Sequence, residues 1–62
     1  MRRFETIQSV LNLSVEKDNF NNTYAVFIKS DGFKQQISKT YVRFGWAYKA
    51  LLKQLNKTKI YN

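Results

Sequence analysis

The chain has no cysteine, no histidine and no proline, and only two glycines. Without cysteine no disulfide can staple it and no thiolate can hold zinc. Without histidine it lacks the commonest metal ligand and the usual general base. With only Gly32 and Gly45, no glycine-rich phosphate loop can form. No apolar run approaches the roughly 20 residues of a membrane span. The start, Met-Arg-Arg-Phe-Glu, lacks the apolar block of a signal peptide, so an intracellular, cytoplasmic chain is expected. No catalytic residue, metal site or cofactor is expected. A Ser or Thr nucleophile would need lysine as its base, and the neighbours Lys39 and Thr40 are a pairing common by chance.

Acids are as scarce as cysteine is absent. There are four, Glu5, Glu16, Asp18 and Asp31, and Arg2, Arg3, Lys17 and Lys29 balance them. Residues 32–62 hold no acid and carry the whole net charge of +7, on Lys34, Lys39, Arg43, Lys49, Lys53, Lys57 and Lys59. Such a block suits a polyanion, because each phosphate neutralised by Lys or Arg releases counterions. At 62 residues one domain is expected, with 1–8 and 57–62 as candidate loose ends. A chain this short buries only about 60% of its unfolded surface, so its stability margin is thin. Five Phe, four Tyr and one Trp supply large side chains for a small core. The richness in Lys, Asn, Ile, Tyr and Phe is what AT-rich coding gives, and suits a phage or mobile element.

From Ser9 to Glu16, apolar Leu11, Leu13 and Val15 alternate with polar Asn12, Ser14 and Glu16, the period of a half-buried strand. A helix placing Ile7, Val10, Leu11 and Ser14 on one face is the alternative. Residues 17–22, KDNFNN, read as a turn. Residues 23–29, TYAVFIK, have strand composition, Asp31-Gly32 is a strong hairpin signal, and residues 33–39 form the return strand. The register pairs Ser30 with Phe33, Lys29 with Lys34, Ile28 with Gln35, Phe27 with Gln36 and Val26 with Ile37. One face then carries Tyr24, Val26, Ile28, Phe33 and Ile37, with Gln35 and Lys39. The other carries Ala25, Phe27, Lys29, Lys34, Gln36 and Ser38.

Thr40 is a candidate N-cap for a helix over residues 43–56. Phe44, Ala47, Tyr48, Leu51, Leu52 and Leu55 recur at 3, 1, 3, 1 and 3, an apolar face about 140° wide at 100° per residue. Trp46, Lys49, Ala50, Lys53 and Asn56 lie opposite. Residues 59–61 form a short edge strand or a loose tail. The expected fold is α+β: a three-stranded antiparallel sheet in β-β-β-α order, with the C-terminal amphipathic helix packed on one face. Its core would be Leu11, Leu13, Val15, Tyr24, Val26, Ile28, Ile37, Phe44, Ala47, Tyr48, Leu51 and Leu55.

Leu11 to Asn56 resembles the three-stranded DNA-binding domain of plant ethylene-response factors, some homing endonucleases and the arm-binding domains of tyrosine recombinases. The resemblance rests on Tyr24-Ala25 with Phe27 in the second strand, Gly32 at the hairpin, Thr40-Tyr41 leading into the helix, and Ala47, Ala50 and Leu51 within it. It implies that alternate residues of the sheet enter the major groove, here Asn12, Ser14, Ala25, Phe27, Lys29, Lys34, Gln36 and Ser38. This chain departs from the pattern in having one aromatic on that face, no basic residue in the first strand, and Phe44-Gly45-Trp46 in place of a polar first turn.

Two functions from different classes follow. The first is a small non-enzymatic DNA-binding protein, a regulator or accessory factor, with DNA ahead of RNA as ligand. Its contacts would be Asn12, Phe27, Lys29, Lys34, Gln36 and Ser38. The second is an inhibitor or adaptor, monomer or homodimer, docking on an acidic protein through Trp46, Phe20, Lys49 and Lys53. For Phe27 the competing role is packing beneath the Phe20 loop or the N-terminal segment. For Trp46 it is folding against the chain's own ends. The apolar face of the helix is needed to cover the sheet, which argues against a membrane partner.

Overall fold

The computed structural model describes residues 3–60, with side chains to residue 57. It is α+β, with one antiparallel sheet and one C-terminal helix: β1 (Phe4–Val10), β2 (Leu13–Asp18), β3 (Thr23–Ser30), β4 (Phe33–Gln36) and α1 (Phe44–Ile60). The strands lie in chain order β1-β2-β3-β4, so each pairs with its sequence neighbour. The sheet has four strands rather than three. Residues 4–10 are not a loose end. They pair with β2, from Phe4 opposite Asp18 to Val10 opposite Leu13, with an irregularity between Thr6 and Gln8 that leaves Ile7 unpaired.

The single strand expected over residues 9–16 is therefore two, joined through Leu11-Asn12. Leu11 takes a positive φ of 56° while Asn12 does not, the pattern of a II′ hairpin turn, whose first position favours glycine. Leu11 was expected in the core and is 85% exposed. The alternation misled because the chain reverses in its middle. Val10, not Leu11, is the apolar residue that sits opposite Leu13 and packs against the core.

The β3–β4 hairpin has the expected register, from Ser30 opposite Phe33 to Phe27 opposite Gln36. Asp31 and Gly32 are both at positive φ, 51° and 84°, as a I′ turn requires. The return strand stops at Gln36 rather than Lys39. Beyond it Ile37 N–H still donates to Val26 C=O, but the Val26 N–H donates to the Ser38 hydroxyl. A side chain thus replaces a backbone carbonyl. Pairing resumes at one bridge, where Tyr24 and Tyr41 exchange both backbone hydrogen bonds at 2.7 Å.

Thr40 does not cap the helix. The first helical residue is Phe44, and the Ala47 N–H donates to the Arg43 carbonyl, which puts Arg43 at the flanking position. The helix continues through Ile60, past the expected Asn56, in place of an edge strand or loose tail; Tyr61 lies outside the described residues. The helix packs across β2 and β3. Leu13, Val15, Val26, Ala47 and Leu51 form the buried cluster, and Tyr24, Ile28, Ile37, Phe44 and Leu55 pack around it. Phe44 stacks on Tyr48 at 5.7 Å and meets Tyr24 edge-on at 6.0 Å. Phe33 shares the parity of this face but projects beyond the helix and is exposed.

Two stability outcomes follow. Leu51→Ala leaves a cavity between α1 and the sheet and lowers the unfolding free energy by ~2–5 kcal/mol, read by urea denaturation. Leu11→Gly removes left-handed strain from an exposed residue and raises stability by about 1 kcal/mol, read as a higher urea midpoint; an unchanged or lower midpoint refutes the strain.

Candidate nucleic-acid interface

The sheet face turned away from α1 is set by strand parity. β1 contributes Phe4 and Thr6, β2 contributes Ser14, Glu16 and Asp18, β3 contributes Ala25, Phe27 and Lys29, and β4 contributes Lys34 and Gln36. Opposed residues share a face, so the register itself brings Phe27, Lys29, Lys34 and Gln36 together. Three shallow hollows of about 330, 250 and 150 Å³ lie along this surface.

The face has a buried acid at its centre. Glu16 is only 3% exposed, although no helix covers it. Its Oε2 accepts from Thr6 Oγ1 at 2.7 Å, Ser14 Oγ at 2.8 Å and Lys34 Nζ at 3.1 Å. The Lys34 stem thus crosses the width of β3 to reach β2. Burial pushes the Glu16 carboxyl up, but the hydrogen bonds from Thr6, Ser14 and Lys34 and the lysine charge outweigh it, and the group sits below its ordinary value.

A second acid closes one end of the face. Asp18 accepts from the Phe20 backbone N–H and from Asn21 Nδ2, both at 2.9 Å, and from Arg3 Nε and Nη2 at 3.4 Å. Desolvation raises its pKa, and these bonds, led by Asn21 and Arg3, bring it below the usual aspartate value. The Arg3 guanidinium also lies over the rings of Phe4, at 5.1 Å, and Phe20, at 5.5 Å.

Each expected contact residue has a definite place. Phe27 is half-buried, with Phe4 packed edge-on at 5.8 Å. The N-terminal segment, not the Phe20 loop, covers it. Lys29 is exposed and has no ion pair among the described residues, and its backbone N–H donates to the Asn12 carbonyl. Asn12 therefore lies in a turn beside Lys29 rather than in a strand. Lys34 is paired with Glu16. Gln36 Nε2 donates to the Ser38 carbonyl at 2.6 Å, and Ser38 is spent on the Val26 N–H and the Lys39 carbonyl.

The interaction candidates lie elsewhere. Trp46, Lys49 and Lys53 are exposed on α1, and Phe20 is exposed in the β2–β3 loop beneath Arg3. The residues that sequence reasoning missed on the outer face are Arg3, Phe4, Thr6, Glu16 and Asp18. For Glu16 the signal was present, since it has the parity of Ser14. For Phe4 and Thr6 it was not, because β1 was unseen.

Among the described residues no group of His, Cys, Asp or Glu can hold a metal ion, and no helix is long and apolar enough to cross a membrane. Comparisons with protein-family models, with curated proteins and with solved structures find no match.

The lowered carboxyl of Glu16 predicts an acid response. Its contribution to stability is complete above the ordinary glutamate value of 4.5 and is lost as pH falls through the lower folded value. Urea midpoints measured from pH 7 down to pH 3 should decline below that value, and Glu16→Gln should flatten part of the decline. An equally steep fall in Glu16→Gln removes Glu16 as a contributor.

Proposed function

We propose that the chain is a small, non-enzymatic DNA-binding protein that presents its outer sheet face to the duplex, as a regulator or accessory factor of a phage or mobile element. The observation that carries this reading is that Phe27, Lys29, Lys34 and Gln36 lie side by side on a face the helix leaves uncovered. The net charge of +7 supplies the attraction to phosphate. The strand order β2-β3-β4-α1 is the order implied by the ethylene-response-factor and recombinase resemblance, and β1 is additional to it.

The basic end of the face does the work in this reading. Lys29, Lys34 and the Asn12 turn border one hollow, while Asp18 closes the opposite end. Lys29 meets phosphate directly. Lys34 exchanges Glu16 for a phosphate or a base edge, and a two-stranded ribbon such as β3–β4 fits the major groove. Across the described face three cations, Arg3, Lys29 and Lys34, stand against two carboxylates, Glu16 and Asp18. The acids therefore temper its affinity.

Docking on an acidic protein through Trp46, Phe20, Lys49 and Lys53 is the second reading, favoured by the exposure of both aromatic rings.

A labelled duplex titrated at several salt concentrations tests the first reading. Affinity should fall with salt, and Lys29→Ala should lower the slope of log affinity against log salt by about 0.9 for one lost phosphate contact. Glu16→Gln, which releases Lys34 and removes a negative charge from the face, should bind more tightly than the parent chain. No binding at low salt, or weaker binding by a folded Glu16→Gln, refutes it.

A further inference from the structure

The outer sheet face uses only part of the positive charge, and α1 holds four of the remaining lysines and arginines. Its sequence, FGWAYKALLKQLNKTKI, has no acid. Trp46, Lys49, Lys53 and Lys57 are all exposed. They stand at i, i+3, i+7 and i+11, within an arc of about 80° at 100° per residue, and span ~16 Å of helix. None of these lysines, nor Arg43, forms an ion pair among the described residues. On the sheet face Arg3 and Lys34 are both matched by acids.

Trp46 heads this stripe. The largest side chains fully buried in the protein are Leu51, Val15 and Val26, while its one tryptophan is 63% exposed. An open cleft of about 350 Å³ lies against it, lined by Arg43, Gly45, Trp46 and Lys49. Gly45 leaves that cleft clear: a Cβ there would meet nothing within 4 Å. An indole face beside a guanidinium and an ammonium, opening on unfilled space, suits a planar aromatic group that carries a negative charge.

We propose that this face of α1 is a binding track for single-stranded nucleic acid. Trp46 stacks on an unpaired base, Arg43 and Lys49 hold the phosphates beside it, and Lys53 and Lys57 follow the backbone along the helix. The track rests on the nucleic-acid reading above but uses none of the sheet residues. A single strand is specified because bases in a duplex are stacked on one another and offer no free face, whereas stacking on an aromatic side chain together with a cationic groove is how single strands are held. A membrane surface does not fit, since the arc exposes one aromatic residue among lysines, while Phe44, Ala47, Leu51 and Leu55 of the apolar arc pack on the sheet.

The lone tryptophan is its own reporter. The intact chain is titrated with a 12-residue oligothymidylate, with a duplex, and with polyglutamate of matched charge, following Trp46 emission and the anisotropy of a label on the nucleic acid. Oligothymidylate should quench Trp46. Trp46→Ala should weaken its binding roughly 5- to 150-fold, the range for loss of one stacked base, with Trp46→Phe recovering most of it. Lys53→Gln should lower the salt slope by about 0.7, for one phosphate on a single strand. Trp46 is exposed, so these variants should keep the parent circular dichroism spectrum. Binding without quenching, or unchanged binding by folded Trp46→Ala, overturns the track. Quenching by polyglutamate as strong as by oligothymidylate also overturns it, in favour of an acidic protein ligand. Duplex binding that depends on Lys29, with Trp46 emission unmoved by oligothymidylate, overturns the track and leaves the sheet reading standing. Quenching by oligothymidylate that is indifferent to Lys29→Ala and Lys34→Ala, with no duplex binding, does the reverse.

Discussion

One helix covers one face of the sheet, and small residues let it come close. Ala47 has no exposed surface and sits in the same buried cluster as Val15, Val26 and Leu51. There is no disulfide, and the described residues offer no metal site to share the load. Each buried aliphatic side chain is worth roughly 1.5–3 kcal/mol, and a domain of this size has a total margin of only about that of a few such residues. Every other placement depends on this contact. It decides which parity of each strand points inward, and so which residues are left on the outer face.

The outer face is not simply what the helix leaves over. It has its own order, built from Phe4 against Phe27, Arg3 across Asp18, and three donors on the Glu16 oxygen. An ionised carboxylate is costly to bury unless fully hydrogen-bonded, and here Thr6 and Ser14 supply the neutral donors while Lys34 supplies the charge. The basic block of the sequence is thereby divided: Lys34 is held at an acid on the sheet, Arg43 flanks the helix, and Lys49, Lys53 and Lys57 stand on it with no acid in it.

What was legible in the sequence had local causes. Asp31-Gly32 dictates a turn geometry that few residue pairs adopt, so the β3–β4 register could be counted outward from it. The 3.6-residue period of Phe44 to Leu55 marked the helix and its buried side. What was not legible had no local mark. Leu11-Asn12 is not a recognised turn pair, and Leu11, Leu13 and Val15 alternate straight through the reversal as though the chain went on. The turn is imposed by the pairing of β1 with β2, a constraint that lies between segments rather than within either. Gln36 and Ser38 show a similar limit for the candidate site. Parity placed them on the outer face, yet their polar atoms serve the backbone that extends β3 towards Tyr41. Lys34 was legible as a surface cation but not as a partner of Glu16, because that pairing spans two strands.

The Glu16 oxygen joins the two edges of the sheet. It takes one donor from β1 and one from β4, strands that never touch each other, while sitting on β2 in the interior. Edge strands ordinarily fray one at a time, each with its own small opening free energy. A shared acceptor ties the two margins to one group, so protonation of Glu16 weakens the hold on Thr6 at one edge and on Lys34 at the other together.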